Sequence, residues 1–214
     1  MRNEKMKSKP NDDWTKKQAI FEKDRLIIDG HQVMMNWETP YMHKMVKMLY
    51  EYSFGGNILE VGFGMGISAT EIQRFGVKSH TIIEPHPEVY NKALQWKKIQ
   101  NNPNIKIING FWQDIVSDLP QYDGIFFDTY SATEEETKLK RFHILEVASK
   151  KLLKEGGCIT FYYLRSHLDK SYQDKIFNYY SKVILEKLEV CPPDDCEYVE
   201  LDGKDYTPCI LAIK

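Results

Sequence analysis

The chain has 214 residues, 42% hydrophobic and 28% charged, a balance that supports one globular domain with a substantial core and excludes wholesale disorder. Its 29 basic and 31 acidic residues leave a net charge of −2, so the overall field does not gather nucleic acid. No apolar run approaches the roughly 18 residues of a membrane-spanning helix, so no membrane association is expected.

Residues 1–13 are charged and nearly free of large apolar groups, and they lack the apolar stretch of a secretory signal. A frayed tail over 1–13 and a single domain over 14–214 are expected. The four cysteines contain one spaced pair, Cys191 and Cys196, around Pro-Pro-Asp-Asp, with no second pair to complete a zinc set. Cys158 and Cys209 lie in apolar, strand-like runs. No metal is expected, and the cysteine usage suits a reducing cytoplasm.

Thr39-Pro40 opens the first helix, since Thr caps and Pro suits the first helical position. Met42, Met45, Val46 and Leu49 then share one helical face. Asn57–Val61 reads as a strand, Gly62–Gly66 as a glycine turn, and Ala69, Ile72 and Phe75 as a helix face stopped by Gly76. A strand follows at His80–Ile83, ending at Glu84, then a helix over Pro87–Lys98. Further strands are expected at Ile105–Ile108 and Tyr122–Phe127, then a helix over Glu134–Leu153 with Lys154–Gly157 as its exit. Cys158–Tyr163 reads as a strand, Leu168–Tyr180 as a helix, and Lys182–Val190 and Thr207–Ile213 as a terminal antiparallel pair. This alternation predicts a Rossmann-like α/β domain of the class I methyltransferase layout: a mostly parallel seven-stranded sheet, helices on both faces and an N-terminal cover segment.

The run Glu60-Val-Gly62-Phe63-Gly64-Met65-Gly66 joins a strand to a helix through glycines that let a ligand approach the backbone. A dinucleotide fingerprint would put its third glycine at position 67, which is Ile67, so that reading fails. The spacing, with Glu60 beside the loop and Glu84 placed to accept ribose hydroxyls, suits S-adenosylmethionine. Phe111-Trp112 follows the third strand and either lines an adenine pocket or packs as a core turn. Asp128 ends an apolar strand beside the same crevice. Glu38 precedes a helix N-terminus, where the helix dipole favours a carboxylate.

Trp37-Glu-Thr-Pro-Tyr-Met42, Leu59-Glu-Val-Gly-Phe-Gly-Met65 and Phe127-Asp-Thr-Tyr130 together resemble the guanidinoacetate N-methyltransferase family, from Trp14 onward. The related domain of fungal arginine N-methyltransferases shares much of the pattern. The resemblance implies that Glu38 and Asp128 are catalytic and hold the substrate guanidinium. It implies cofactor contacts at Trp14, Met34, Met42, Phe63, Gly64, Met65, Gly66, Ile67, Ser68, Glu84, Pro85, His86, Phe111 and Trp112, with Glu60, Gly62 and Asp128 beside them. Leu164 and Arg165 match the segment that holds a substrate carboxylate.

The chain departs from the pattern at Asn36 and at Tyr162–Ser166, where Arg165 could clamp a carboxylate or simply face solvent. The expected activity is S-adenosylmethionine-dependent N-methylation of a small guanidino compound such as guanidinoacetate. Free or protein-bound arginine is the first alternative, and a non-catalytic cofactor-binding module the second. Glu38 and Asp128 argue against the latter.

Overall fold

The computed structural model describes residues 14–131, 134–199, 201 and 203–214; the expected tail at 1–13 lies outside them. A short 3-10 helix, Trp14–Lys16, leads into three strands: β1 (Ala19–Phe21), β2 (Arg25–Ile28) and β3 (His31–Met35). They form an antiparallel sheet of their own. No strand is expected there from the reading above, which has only a cover segment. The overlooked signal is Asp29-Gly30, whose positive φ values of 54° and 78° turn β2 tightly into β3.

A 3-10 turn at Asn36–Glu38 feeds α1 (Thr39–Ser53), with Pro40 in its first turn and Tyr41, Met42, Met45, Val46, Met48 and Leu49 buried. Then come β4 (Asn57–Val61), α2 (Ile67–Phe75), β5 (Ser79–Glu84), α3 (Pro87–Lys98), β6 (Ile105–Asn109) and the short α4 (Trp112–Ile115). β7 (Tyr122–Phe127), α5 (Glu134–Val147), β8 (Leu153–Phe161), α6 (Lys170–Phe177), β9 (Lys182–Glu189) and β10 (Tyr206–Ile213) complete the chain. Among the described residues, no helix is long and apolar enough to cross a membrane.

The large sheet has seven strands in the order β6-β5-β4-β7-β8-β10-β9. β4 pairs in parallel with both β5 and β7, and β10 runs antiparallel to β8 and β9. The expected mostly parallel seven-stranded sheet is therefore present. The order reverses between β4 and β7, so the crevice beyond their carboxyl ends is the topological switch point where open α/β sheets bind ligands.

The sheet is buried on both faces, as parallel strands require. Ile58 and Phe126 pack with α1 and α2 residues such as Met45, Leu49 and Ile72. Leu59, Val61, Ile125 and Phe127 pack on the opposite side with Ile144, Leu145 and Ile176. Each such side chain contributes about 1.5–3 kcal/mol by leaving water.

One boundary differs from expectation. The helix expected to reach Leu153 ends in a π-turn at Ala148–Leu152, and Leu153 already belongs to β8, opposite Tyr122. The supposed exit, residues 154–157, is an irregularity inside the strand, where the pairing shifts register. Lys154 pins it by placing Nζ 2.7 and 2.8 Å from the two oxygens of Asp123. Asp123 also accepts from the Asn57 N–H at 2.7 Å, so one carboxylate ties β8 to the start of β4. β8 also ends before Tyr162, although the Tyr162 N–H still donates to the Phe127 carbonyl at 2.9 Å.

Candidate cofactor and acceptor site

The glycine loop runs from β4 into α2 with left-handed backbone at Gly62 (φ 93°), Gly64 (φ 53°) and Gly66 (φ 75°). A Cβ at any of the three would crowd a neighbouring atom, and at Gly62 that atom is backbone. A Cβ on Gly62 would lie 1.8 Å from the Asp128 carbonyl oxygen, and one on Gly64 would lie 2.7 Å from Met34 Sδ. The loop thus touches both the end of β7 and the cover sheet. Met34 makes that second contact polar as well, its sulfur accepting from the Met65 N–H at 3.2 Å.

Glu84 organises the other side of the crevice. Its two carboxyl oxygens accept from the Phe63 N–H at 2.9 Å and the His86 N–H at 2.8 Å. Burial pushes the group up to about 7, against the pull of those backbone donors. Asn109 donates to the Glu84 carbonyl at 2.9 Å, holding the turn through Pro85 in place.

Glu60 sits beneath the loop rather than in the crevice. It lies on the same face of β4 as Ile58, since side chains alternate along a strand. It accepts from Ser68 in the first turn of α2, and its second oxygen is 2.9 Å from His80 Nε2, bent away from a linear hydrogen bond. The chain of donors continues outward. The Asn104 N–H donates to Asn102 at 2.8 Å, Asn102 to Gln73 Oε1 at 3.1 Å, and Gln73 Nε2 to His80 Nδ1 at 3.0 Å. That sequence of roles leaves the ring proton on Nε2, facing Glu60.

Trp14 closes the crevice from the N-terminal side. Its ring stacks on Tyr130 at 6.1 Å and meets His86 edge-on at 5.1 Å. His86 Nε2 donates to the Lys17 carbonyl at 2.9 Å, which ties the cover to the end of β5. Trp14 Nε1 and His86 Nδ1 are buried without a hydrogen-bond partner. Phe111 is half-buried at the start of α4. Trp112 is packed between Phe127 at 5.8 Å and His143 at 5.0 Å, its indole N–H also unpartnered. Met42 is fully buried in α1, while Met65 and Ile67 are half-buried at the loop.

The two candidate catalytic carboxyls come from separate elements. Glu38, only 2% exposed, folds back to accept from the Met35 N–H at 2.7 Å and from the Tyr198 hydroxyl at 2.6 Å. Burial raises its pKa. Asp128 follows β7 directly, its N–H donating to the Val61 carbonyl at 2.9 Å, and its side chain is half-buried at the crevice floor. Burial, and next the nearby Glu38, push it up to about 8, and the Arg141 cation pulls the other way. Tyr162 stands beside them with a buried hydroxyl turned towards Glu38, and burial and then Glu38 hold it well above the usual phenol range.

Leu164 is buried and Arg165 half-buried in the segment after β8. Tyr41 brackets that segment, donating to the Tyr163 carbonyl at 3.0 Å and accepting its N–H at 3.1 Å. Arg165 lies 3.8 Å from Asp169, the residue that precedes α6.

Tyr198 and Arg141 carry no signal in the sequence, and Tyr162 only that of opening the departing segment Tyr162–Ser166. Tyr198 arrives on the connection between β9 and β10, which also docks on the cover sheet through Asp195 to Arg25 at 2.7 Å. Tyr198→Phe removes one bond from Glu38, worth about 1–2 kcal/mol. A several-fold rise in acceptor KM, with affinity for S-adenosylhomocysteine unchanged by calorimetry, is expected. An unaltered KM would show that the contact is idle.

Sheet order, glycine loop and crevice define a class I, S-adenosylmethionine-dependent methyltransferase domain. The fold is shared with spermidine synthase from Thermotoga maritima (TM-score 0.65, 13% identity, covering 92% of this chain and 72% of that one). It is shared too with an O-methyltransferase from Bacillus cereus (TM-score 0.59, 19% identity, 81% and 80%). The chain belongs to the guanidinoacetate N-methyltransferase family, whose sequence model matches residues 5–189. Among curated proteins it is 41% identical over 116 residues to protein arginine N-methyltransferase 2 of Aspergillus oryzae, covering 52% of this chain and 28% of that protein. It is 34% identical over 128 residues to the protein of that name in Saccharomyces cerevisiae, covering 55% and 31%. The chain thus spans about three tenths of the length of these relatives.

Proposed function

We propose that the chain methylates a nitrogen of a small guanidino compound, guanidinoacetate or a close analogue. The observation that carries this reading is the pair Glu38 and Asp128, brought together from the start of α1 and the end of β7 and close enough for Glu38 to raise Asp128 electrostatically. Two carboxyls there match a planar cation with several N–H donors.

The residues present also fit the cofactor. Trp14 Nε1 and His86 Nδ1 are orphaned polar atoms around the crevice, beside a glycine loop whose left-handed turns carry β4 into α2. Gly62–Ser68, Glu84, Pro85, His86 and Phe111 with Trp112 would hold it, and Trp14, Met34 and Met42 would close over it. S-adenosylmethionine, when bound, supplies an electrophilic methyl group. Glu38 orients the guanidinium, and Asp128 accepts the proton that the nitrogen must lose as its new N–C bond forms. Leu164 and Arg165 border the acceptor's other end.

A second reading has a specific basis: the name of the curated relatives favours arginine, free or in a protein, as the acceptor. A methyl-transfer screen by mass spectrometry decides between them. The panel is guanidinoacetate, other guanidino acids, arginine, agmatine and an arginine-containing peptide. Product from guanidinoacetate or a short analogue is expected. Product from the peptide alone would move the acceptor to protein, and no methylated guanidine at all would overturn the reading.

A further inference from the structure

Glu38 has only one of its two oxygens to spare. Oε1 accepts from the Met35 N–H at 2.7 Å and from the Tyr198 hydroxyl at 2.6 Å, which fills both lone-pair sites of that atom. Oε2 alone remains for an acceptor, so Glu38 cannot grip a guanidinium through two parallel bonds, one to each oxygen. A guanidinium head brings several N–H donors in a fixed plane, and those left without an oxygen inside the crevice are costly.

Tyr162 offers the missing oxygen. Phe127 and Phe161 are register partners in the parallel β7–β8 pair, and the Tyr162 N–H donates to the Phe127 carbonyl at 2.9 Å. Tyr162 therefore stands next to Asp128 across the seam, on the same face of the sheet. α1 packs on that face, where Met45 and Leu49 meet Phe126 and Tyr162 borders the same cluster. Glu38 heads α1, and Tyr41, three residues on, meets the Tyr162 ring edge-on at 5.5 Å. The Tyr162 hydroxyl is buried, turned towards Glu38, and closes no hydrogen bond.

The backbone that carries it is fixed. Tyr163, the next residue, exchanges bonds with the Tyr41 hydroxyl at 3.0 and 3.1 Å, and its carbonyl also accepts from Thr207 of β10 at 2.9 Å. A buried hydroxyl without a partner is a cost to the free protein, and a ligand that supplies the partner removes it.

We propose that Tyr162 is a further acceptor-binding residue: its hydroxyl accepts an N–H of the guanidinium while donating its own proton to Glu38. A phenol can do both at once, and it adds an oxygen without adding a third negative charge to a buried carboxyl pair. This rests on the methylation of a guanidine proposed above.

Tyr162→Phe removes the oxygen and keeps the ring on Tyr41. Guanidinoacetate and arginine are titrated calorimetrically into the full chain saturated with S-adenosylhomocysteine, with methyl transfer followed in parallel. The variant is expected to bind the guanidine at least about tenfold more weakly, with the acceptor KM raised alike, because a bond to a charged group is lost. Affinity for S-adenosylhomocysteine stays at the wild-type value. The variant melts no lower than wild type, since the hydroxyl has no partner to lose in the free protein.

A pH series separates contact from support. Tyr162 also favours the charged form of Glu38, so without it Glu38 holds its proton to higher pH. A purely supporting role therefore gives a loss that is largest at low pH and vanishes where Glu38 is ionised in both proteins. A contact with the acceptor gives a loss that persists at high pH. The other titrating groups of the crevice, Asp128 and Glu84 among them, are common to both proteins and cancel in the ratio.

Unchanged guanidine affinity in Tyr162→Phe overturns the proposal. So does a loss that vanishes at high pH, one shared by S-adenosylhomocysteine, or a clearly lower melting temperature, which would give the hydroxyl a structural partner. A wild type that binds and methylates a guanidine no better than Tyr162→Phe sinks only the role of Tyr162. A wild type that methylates no guanidine of the panel sinks the underlying function as well.

Discussion

Asp128→Asn lowers turnover by about 10²–10⁴-fold, the range for a positioned general base, while affinity for S-adenosylhomocysteine stays close to wild type. The group has two further signatures, both set by its raised pKa. With its midpoint near 8, Asp128 is largely protonated at neutral pH in the free protein. A bound guanidinium favours the charged form, so binding releases a proton and tightens as pH rises from 6 towards 8. Calorimetry in buffers of different ionisation enthalpy reads that proton directly.

Stability moves the opposite way. A carboxyl whose folded pKa is raised holds its proton more tightly folded than unfolded, so it costs nothing at pH 4 and below and destabilises progressively up to about pH 8. Asn carries no charge, so the variant should melt with wild type near pH 4 and above it at pH 8.5. Near-normal turnover in Asp128→Asn combined with a dead Glu38→Gln would exchange the two roles. A melting difference independent of pH would remove the electrostatic account.

Gly62→Ala should be the most damaging small substitution in the chain. The new methyl would have to occupy space 1.8 Å from the Asp128 carbonyl oxygen, at a φ of 93° that L-residues avoid. The conformational cost alone is about 1–3 kcal/mol, and relieving the overlap means moving the end of β7. A total of at least about 3 kcal/mol, or roughly 6–12 °C in melting temperature for a domain of this size, is expected together with loss of cofactor binding. Gly76→Ala is the matched control, with φ of 75° and no atom within 4 Å of the added carbon. It should carry the conformational cost alone, and equal melting shifts in the two variants would show that the contact with Asp128 is not rigid. The damage is expected to reach catalysis because the loop abuts the backbone of Asp128, which carries the acceptor carboxyl, and a displacement of about 1 Å can cost about 100-fold in rate.

What could be read in advance follows how local each feature is. The parallel strands show as short apolar runs closed by Gly or an acid, as at Glu84 and Asp128, so the sheet and its crevice were legible. The cover sheet was not, because β1 has three residues and its alternation is too brief to register; only Asp29-Gly30 marked it. The β8 boundary was missed because Lys154–Gly157 reads as a helix exit, while a tertiary contact, Lys154 to Asp123, holds it in the sheet. Glu60 could be placed beside the loop, but its direction follows from strand alternation, which turns it towards Ser68 and His80. Arg165 drew attention through its place beside a motif. Arg141 sits among charged helical residues that look like a solvated face until α5 is packed against Tyr163 and Tyr172.

The contact between Tyr198 and Glu38 joins residues 160 positions apart, and that between Arg25 and Asp195 joins residues 170 apart. The glycine loop, Glu84 and Asp128 all lie within the stretch between. On a ribosome, which releases a chain from its N-terminus, every backbone donor of the nucleotide crevice has been made some seventy residues before Tyr198 exists. Closing so long a loop carries the larger entropic cost and comes late in folding. In the order of synthesis the brace on Glu38 therefore follows every backbone donor of the nucleotide crevice and precedes only β10, the strand that joins β8 to β9 in the sheet.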